Sequence, residues 1–125
     1  MVATRYSQLR SATARLAAAA AEQDLYLQKT LFPDTADKAR SEYNCDELAL
    51  EFNDYYIAVE HMVAAGELSA EQAEALRGLD MVLDLWSGRQ NADFWRRGAL
   101  HSDPRWDAVR ESARNALKTM PVRDE

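Results

Sequence analysis

The sequence predicts an all-α fold: a four-helix bundle-like single domain with a central antiparallel helical hairpin and one short extra helix. Three observations carry this expectation. Apolar residues recur at three- and four-residue steps in four separate stretches, the spacing of one buried helical face. Alanine, leucine, glutamate and arginine are abundant, whereas β-branched residues are scarce and the chain has only four glycines and three prolines, a usage that favours helix over sheet. A chain of 125 residues is one domain in length and buries a core without help from metal or disulfide. Residues 1–125 therefore read as one helical unit, with an alanine-rich helix over 1–30, a connection over 31–43 and a helical core over 44–120.

The first helix is expected from about Thr4 to Lys29. Its seam of Leu9, Ala12, Leu16, Ala19 and Tyr26 is thin, because alanine fills so much of it, and needs a close neighbour. The opening MVATRYSQLRSATARLAAAAA is basic and acid-free, as transit peptides are. However, Arg5, Arg10 and Arg15 fall on different sides of a helical wheel and leave no basic face, so mature helix is the expectation. Phe32-Pro33-Asp34 interrupts the pattern, since the residue before a proline is pushed out of the helical region. A second helix is expected from Asn44, with Glu47 at capping spacing, to Gly66, burying Leu48, Phe52, Tyr55, Val59, Met62 and Val63. The third starts at Ser69 with Gln72 in capping-box spacing and Leu68 as staple, and carries Leu76, Leu79, Leu83 and Trp86 as far as Gly88. So little chain separates these two helices that they form an antiparallel hairpin. One short amphipathic turn is expected over Asn91–Arg97, ended by Gly98. The last helix has Asp103 as cap and Pro104 in its first position. It buries Trp106, Val109, Ala113, Leu117 and Met120 before Pro121 stops it.

Charge is segregated. Residues 41–88 hold eleven acids against one base, Arg77, a net of −10 within a chain whose total is −6. This middle repels nucleic acid and attracts a basic partner. No apolar run approaches the ~20 residues that span a bilayer, so no membrane association is expected. The single cysteine, Cys45, excludes an internal disulfide and a thiolate metal cluster, and a reducing cytoplasm is the expected compartment. Cys45 itself reads as a small apolar residue at a helix start.

The stretch CDELALEFNDYY, residues 45–56, loads acids and aromatics onto the same turns. At about 100° per residue they occupy adjacent faces, which is also the pattern of an ordinary solvated helix flank. The functional reading is a recognition ridge of Glu47, Glu51 and Asp54, with Tyr55 as an amphipathic anchor and His61 on the same side. Tyr56 falls across the core stripe from them. No motif dictates a reaction: there is no Gly-x-Ser-x-Gly elbow, and Glu60 and His61 are sequence neighbours rather than the Glu-x-x-His of a di-iron bundle. No cofactor is implied. WSGRQNADFWRR, residues 86–97, places Trp86, Phe94 and Trp95 among arginines. These aromatics are expected to complete the core under a connecting loop. Met81 and Leu85 lie opposite the buried stripe of their helix and need either a covering helix or an interface, so a homo-oligomeric helical module is one alternative.

Asp54-Tyr55-Tyr56 within an acidic helix resembles the toxin-binding surface of small, acidic, helical bacterial immunity proteins, those that neutralise DNase colicins. The resemblance covers these three positions and is one of surface chemistry. It implies an inhibitor that docks its acidic helix and tyrosines on a basic nuclease-type toxin. Glu51-x-x-Asp54 and Glu71-x-x-Glu74 are similar, in reversed order, to the paired acidic motifs of MazG-like nucleotide pyrophosphatases. That resemblance implies magnesium held by Glu51, Asp54, Glu71 and Glu74 around one cavity.

Overall fold

The computed structural model describes residues 4–31, 45–96 and 98–123. Among them it is all-helical, without a strand. Helix α1, Arg5–Ala17, is capped by Thr4, whose hydroxyl oxygen accepts the Ser7 N–H at 3.1 Å. It buries Tyr6, Leu9, Ala12 and Leu16.

The alanine run does not continue this helix. Ala18 and Ala19 are extended (ψ 160° and 153°), and α2, Ala20–Tyr26, sets off anew before a π-type turn over Leu27–Leu31. The reason lies in the core. Gln23 is buried, and its amide donates to the carbonyls of Arg15 and Leu16 at 3.0 and 3.1 Å. These carbonyls lie at the end of α1, where Arg15 otherwise accepts only the Ala18 N–H at 3.3 Å, and a continued helix would have satisfied both itself. A tertiary polar contact thus outweighs alanine's local preference for helix.

The second expected helix is likewise two: α3, Asp46–Tyr56, and α4, Val59–Ala64, meeting at Ile57–Ala58. Both joining residues keep right-handed backbone angles, so the stripe of Leu48, Phe52, Val59 and Met62 stays buried across the kink. Residues 32–44, including most of the expected connection and the Asn44 cap, lie outside the described residues. Helix α4 closes at Gly66, whose φ of +77° suits glycine. The Gly66 and Glu67 N–H groups return to the carbonyls of Val63 and Met62 at 3.1 and 2.8 Å, which is a Schellman end.

Helix α5, Ala70–Leu85, opens with both halves of the expected capping box: Gln72 N–H to Ser69 Oγ at 3.1 Å, and Ser69 N–H to Gln72 Oε1 at 2.8 Å. Beyond Gly88 the chain makes a 3₁₀ turn, Arg89–Trp95, and a single turn α6, Ala99–Ser102. Two short pieces thus replace the one expected. Helix α7, Pro104–Lys118, is capped by Asp103, which accepts the Arg105 N–H at 2.9 Å.

Helix α7 is central. It packs on α1 along one flank and on α5 along the other, while α1 also packs on α3. Trp106 stacks on Phe94 at 4.5 Å and donates its indole N–H to the Phe94 carbonyl at 2.8 Å, with Trp95 edge-on to both rings. The aromatics of 86–95 therefore complete the core, as expected. Tyr6 and Arg10 of α1 donate to the carbonyls of Pro121 and Met120 at 2.7 and 2.6 Å, fixing the chain after α7. The remaining pair, α3 and α5, touch sparsely. No helix among the described residues is long and apolar enough to cross a membrane.

Candidate partner-binding groove

The six residues of the expected recognition surface do not share one environment. Asp54 and His61 are exposed, and Glu47 is half-buried in the first turn of α3. Glu51 is held internally. Its Oε1 accepts from Arg15 Nη1 at 2.6 Å and its Oε2 from the Tyr26 hydroxyl at 2.5 Å, with the Arg15 guanidinium 4.4 Å from the centre of the Tyr26 ring. Burial, then the bond to Glu51, pushes the Tyr26 hydroxyl up to about 12. Glu51 therefore ties α3 to α1 and α2 and is not displayed. Glu67 is similarly held by Arg5.

Tyr55 and Tyr56 both pack half-buried against the core. Tyr56 stacks on Phe52 at 5.3 Å and faces α5; its hydroxyl is raised by burial first and next by Asp80. The two tyrosines thus leave α3 in different directions.

The carboxylates of the magnesium alternative do not converge. Glu51 is bound to Arg15, Glu74 lies 3.7 Å from Arg77, and among the described residues no three His, Cys, Asp or Glu side chains are placed to hold a metal ion.

What the fold does open is the seam between α3 and α5. Two adjoining hollows, of about 220 and 340 Å³, run along it and share Asn53 and Asp80. The floor is apolar, made by Ala49, Phe52, Leu83 and Trp95. Along α3 the lip is Asp46, Leu50, Asn53 and Ile57, four residues at steps of four, three and four, one face round from the buried stripe. Leu50 is 50% and Ile57 72% exposed, so this lip shows apolar surface to solvent. On α5 the wall is Asp80 and Asp84, continued by Ser87 just past the helix end, with Met81 and Leu85 exposed on the crest behind it, covered by no helix among the described residues.

The seam carries four carboxylates, Asp46, Glu60, Asp80 and Asp84, and among the described residues no lysine, arginine or histidine lines it. Burial raises Asp46 above the usual aspartate range, and burial followed by the charge of Asp84 raises Asp80. None of the four has an ion-pair partner among the described residues. The sequence reading passed over Leu50, Asn53 and Ile57. The available signal was two apolar residues seven apart and off the stripe.

A larger hollow, of about 690 Å³, lies beside α6 and the start of α7. Arg96 and Arg105 both line it, and Arg105 is already committed, because it pairs with Asp93 at 2.9 Å and with Asp103, and stands over the Trp86 and Phe94 rings. Arg105 therefore anchors the 3₁₀ turn to α7. Comparison with protein-family models, curated proteins and solved structures returns no match.

Proposed function

We propose that this chain is a protein-binding module that docks the acidic face of its α3/α5 seam on a basic surface of another protein, from a four-helix bundle-like frame. The observation that carries the reading is that Asp46, Asp80 and Asp84 line an apolar-floored groove with no cation among the described residues that line it. Arginines of α1 take up Glu51 and Glu67 instead. Carboxylates left unpaired beside apolar surface cost stability, so their retention is explained by a partner that supplies the missing charge.

Leu50 and Ile57 add the contact area. Covering what remains exposed of each supplies a corresponding part of the about 1.5–3 kcal/mol that burying a whole such side chain contributes, before the costs of association. Steering by the carboxylates accelerates encounter and is screened by salt. A toxin-neutralising inhibitor of the immunity type is one form such a module takes, with Tyr56 rather than Tyr55 beside the groove. A second copy of the chain is a poor occupant, since pairing two such seams sets aspartates against aspartates.

The test is affinity capture from an extract of the source cells at low and high salt. Each captured protein is identified and then titrated singly against wild type and Asp84→Lys. A basic protein whose association slows with salt and with the reversal supports the reading. Partners that ignore both remove it.

A further inference from the structure

We infer that the element received by the α3/α5 seam is a single amphipathic α-helix of the partner, carrying lysine or arginine along its flanks. This rests on the acidic-docking reading above and adds the partner's local structure.

The first argument is backbone hydrogen bonding. The described part of this chain has no strand, hence no sheet edge to pair an extended peptide. An extended segment laid over Ala49, Phe52 and Leu83 would leave its N–H and C=O groups facing apolar side chains. A helix satisfies those groups internally and offers side chains alone.

The second argument is shape. Asp46, Leu50, Asn53 and Ile57 form a row at four- and three-residue steps, and Asp80, Asp84 and Ser87 form another across from it. Such rows are the ridges between which the side chains of a further helix seat. Ala49 on the floor has little bulk to keep that helix away. The α3 row spans about 16 Å at 1.5 Å per residue, so the occupant needs about three helical turns.

The third argument is charge placement. Asp80 and Asp84 follow one side of the seam, Asp46 stands at one end and Glu60 at the other. A helix with its apolar stripe toward the floor therefore meets carboxylates along its flank and at both ends, where basic residues complement them.

The experiment uses two synthetic peptides of leucine and lysine, about 18 residues each (five helical turns). One has leucine at helical spacing; the other is a scramble of the same composition that has no apolar face. Each is titrated by NMR into the full chain, into Asp80→Lys and Asp84→Lys, and into Glu111→Lys. The last makes the same charge change at an exposed site on α7. The helical peptide is expected to bind at least about tenfold more tightly than the scramble, to shift the resonances of Leu50, Asn53, Ile57 and Asp80, and to weaken about tenfold with either α5 reversal while Glu111→Lys changes it little. Equal affinity for both peptides, with loss on charge reversal, overturns the helix inference and leaves the acidic docking face standing. Binding unaffected by both α5 reversals, or absent, overturns the two together. Asp84 is exposed, so its reversal serves where Asp80→Lys perturbs the fold.

Discussion

Arg110 of α7 reaches Gln23 of α2 through two hydrogen bonds, from Nη2 and Nε to the same Oε1 at 2.9 and 3.1 Å. Both side chains are buried, and the Gln23 amide passes on to the end of α1 while Arg110 Nη2 also donates to the Leu100 carbonyl. One network therefore joins α1, α2, α6 and α7. Burial lowers the Arg110 pKa, and Asp107, 3.2 Å away and solvent-facing, offsets part of that. Gln23→Leu strips the guanidinium of two acceptor contacts inside the core and should cost about 2–3 kcal/mol, the range for a buried charged group losing its partner. Arg110→Met should cost less. The double variant should fall well short of the sum, because the uncompensated charge leaves with Arg110. Urea denaturation of the four proteins measures this, and additive losses would refute the network.

The break at Ala18–Ala19 makes a prediction opposite in sign to the continuous helix read from sequence. Ala19 is exposed, has φ −63° and no hydrogen bond at its N–H, and Ala18 before it has ψ 160°. These are the angles proline imposes on itself and on its predecessor. Ala19→Pro should raise stability by about 0.4–1 kcal/mol by restricting the unfolded chain. In an unbroken helix it would cost about 3 kcal/mol. Thermal or urea unfolding decides between a gain and a loss of several times its size.

What could be read from sequence divides by the distance over which each feature is determined. The Ser69/Gln72 box, the Asp103-Pro104 start and the Gly66 end are set by residues within one turn of one another, and the structure has all three. The break in the alanine helix escaped the sequence because Gln23, which bonds the end of α1, is held in the core by Arg110, 87 positions away. Glu51 looked like an outward carboxylate because Arg15 and Tyr26, 36 and 25 positions away, are invisible on a helical wheel. The groove has the same origin. Periodicity marks Leu50 and Ile57 as outward, but that they stand at the lip of a seam between α3 and α5 is a tertiary relationship.

Tyr26 gives a pH signature. Its folded-state value of about 12 lies above that of an unfolded tyrosine, about 10. The folded state thus keeps its proton when the unfolded chain has lost it. The contribution is fully present below pH 10 and declines as pH rises from about 10 to 12. Ultraviolet titration of tyrosinate should show late titration that shrinks by one tyrosine in Tyr26→Phe, while Tyr56, itself raised, still titrates late. Tyr26→Phe should also flatten the loss of stability over that interval relative to wild type. A late titration that Tyr26→Phe leaves unchanged in amplitude would refute the Glu51 bond as its cause.

If the α3/α5 seam is retained for a partner, its charges should cost the free protein stability. Asp80 and Asp84 are one helical turn apart, and both burial and Asp84 disfavour the ionised form of Asp80. Like charges at this spacing destabilise a helix by about 0.2–0.5 kcal/mol, so Asp80→Asn should stabilise the isolated chain by a few tenths of a kcal/mol at low ionic strength. Because the folded-state pKa of Asp80 is raised, the cost exists above the ordinary aspartate range and disappears as pH falls through it. The gain from Asn should follow that course and shrink with added salt. The same substitution should weaken docking of a basic peptide. A variant more stable at neutral pH yet poorer at binding identifies a site kept against the fold's own preference. Asp80→Asn that destabilises the protein would instead make Asp80 a structural residue and deprive the groove of its central charge.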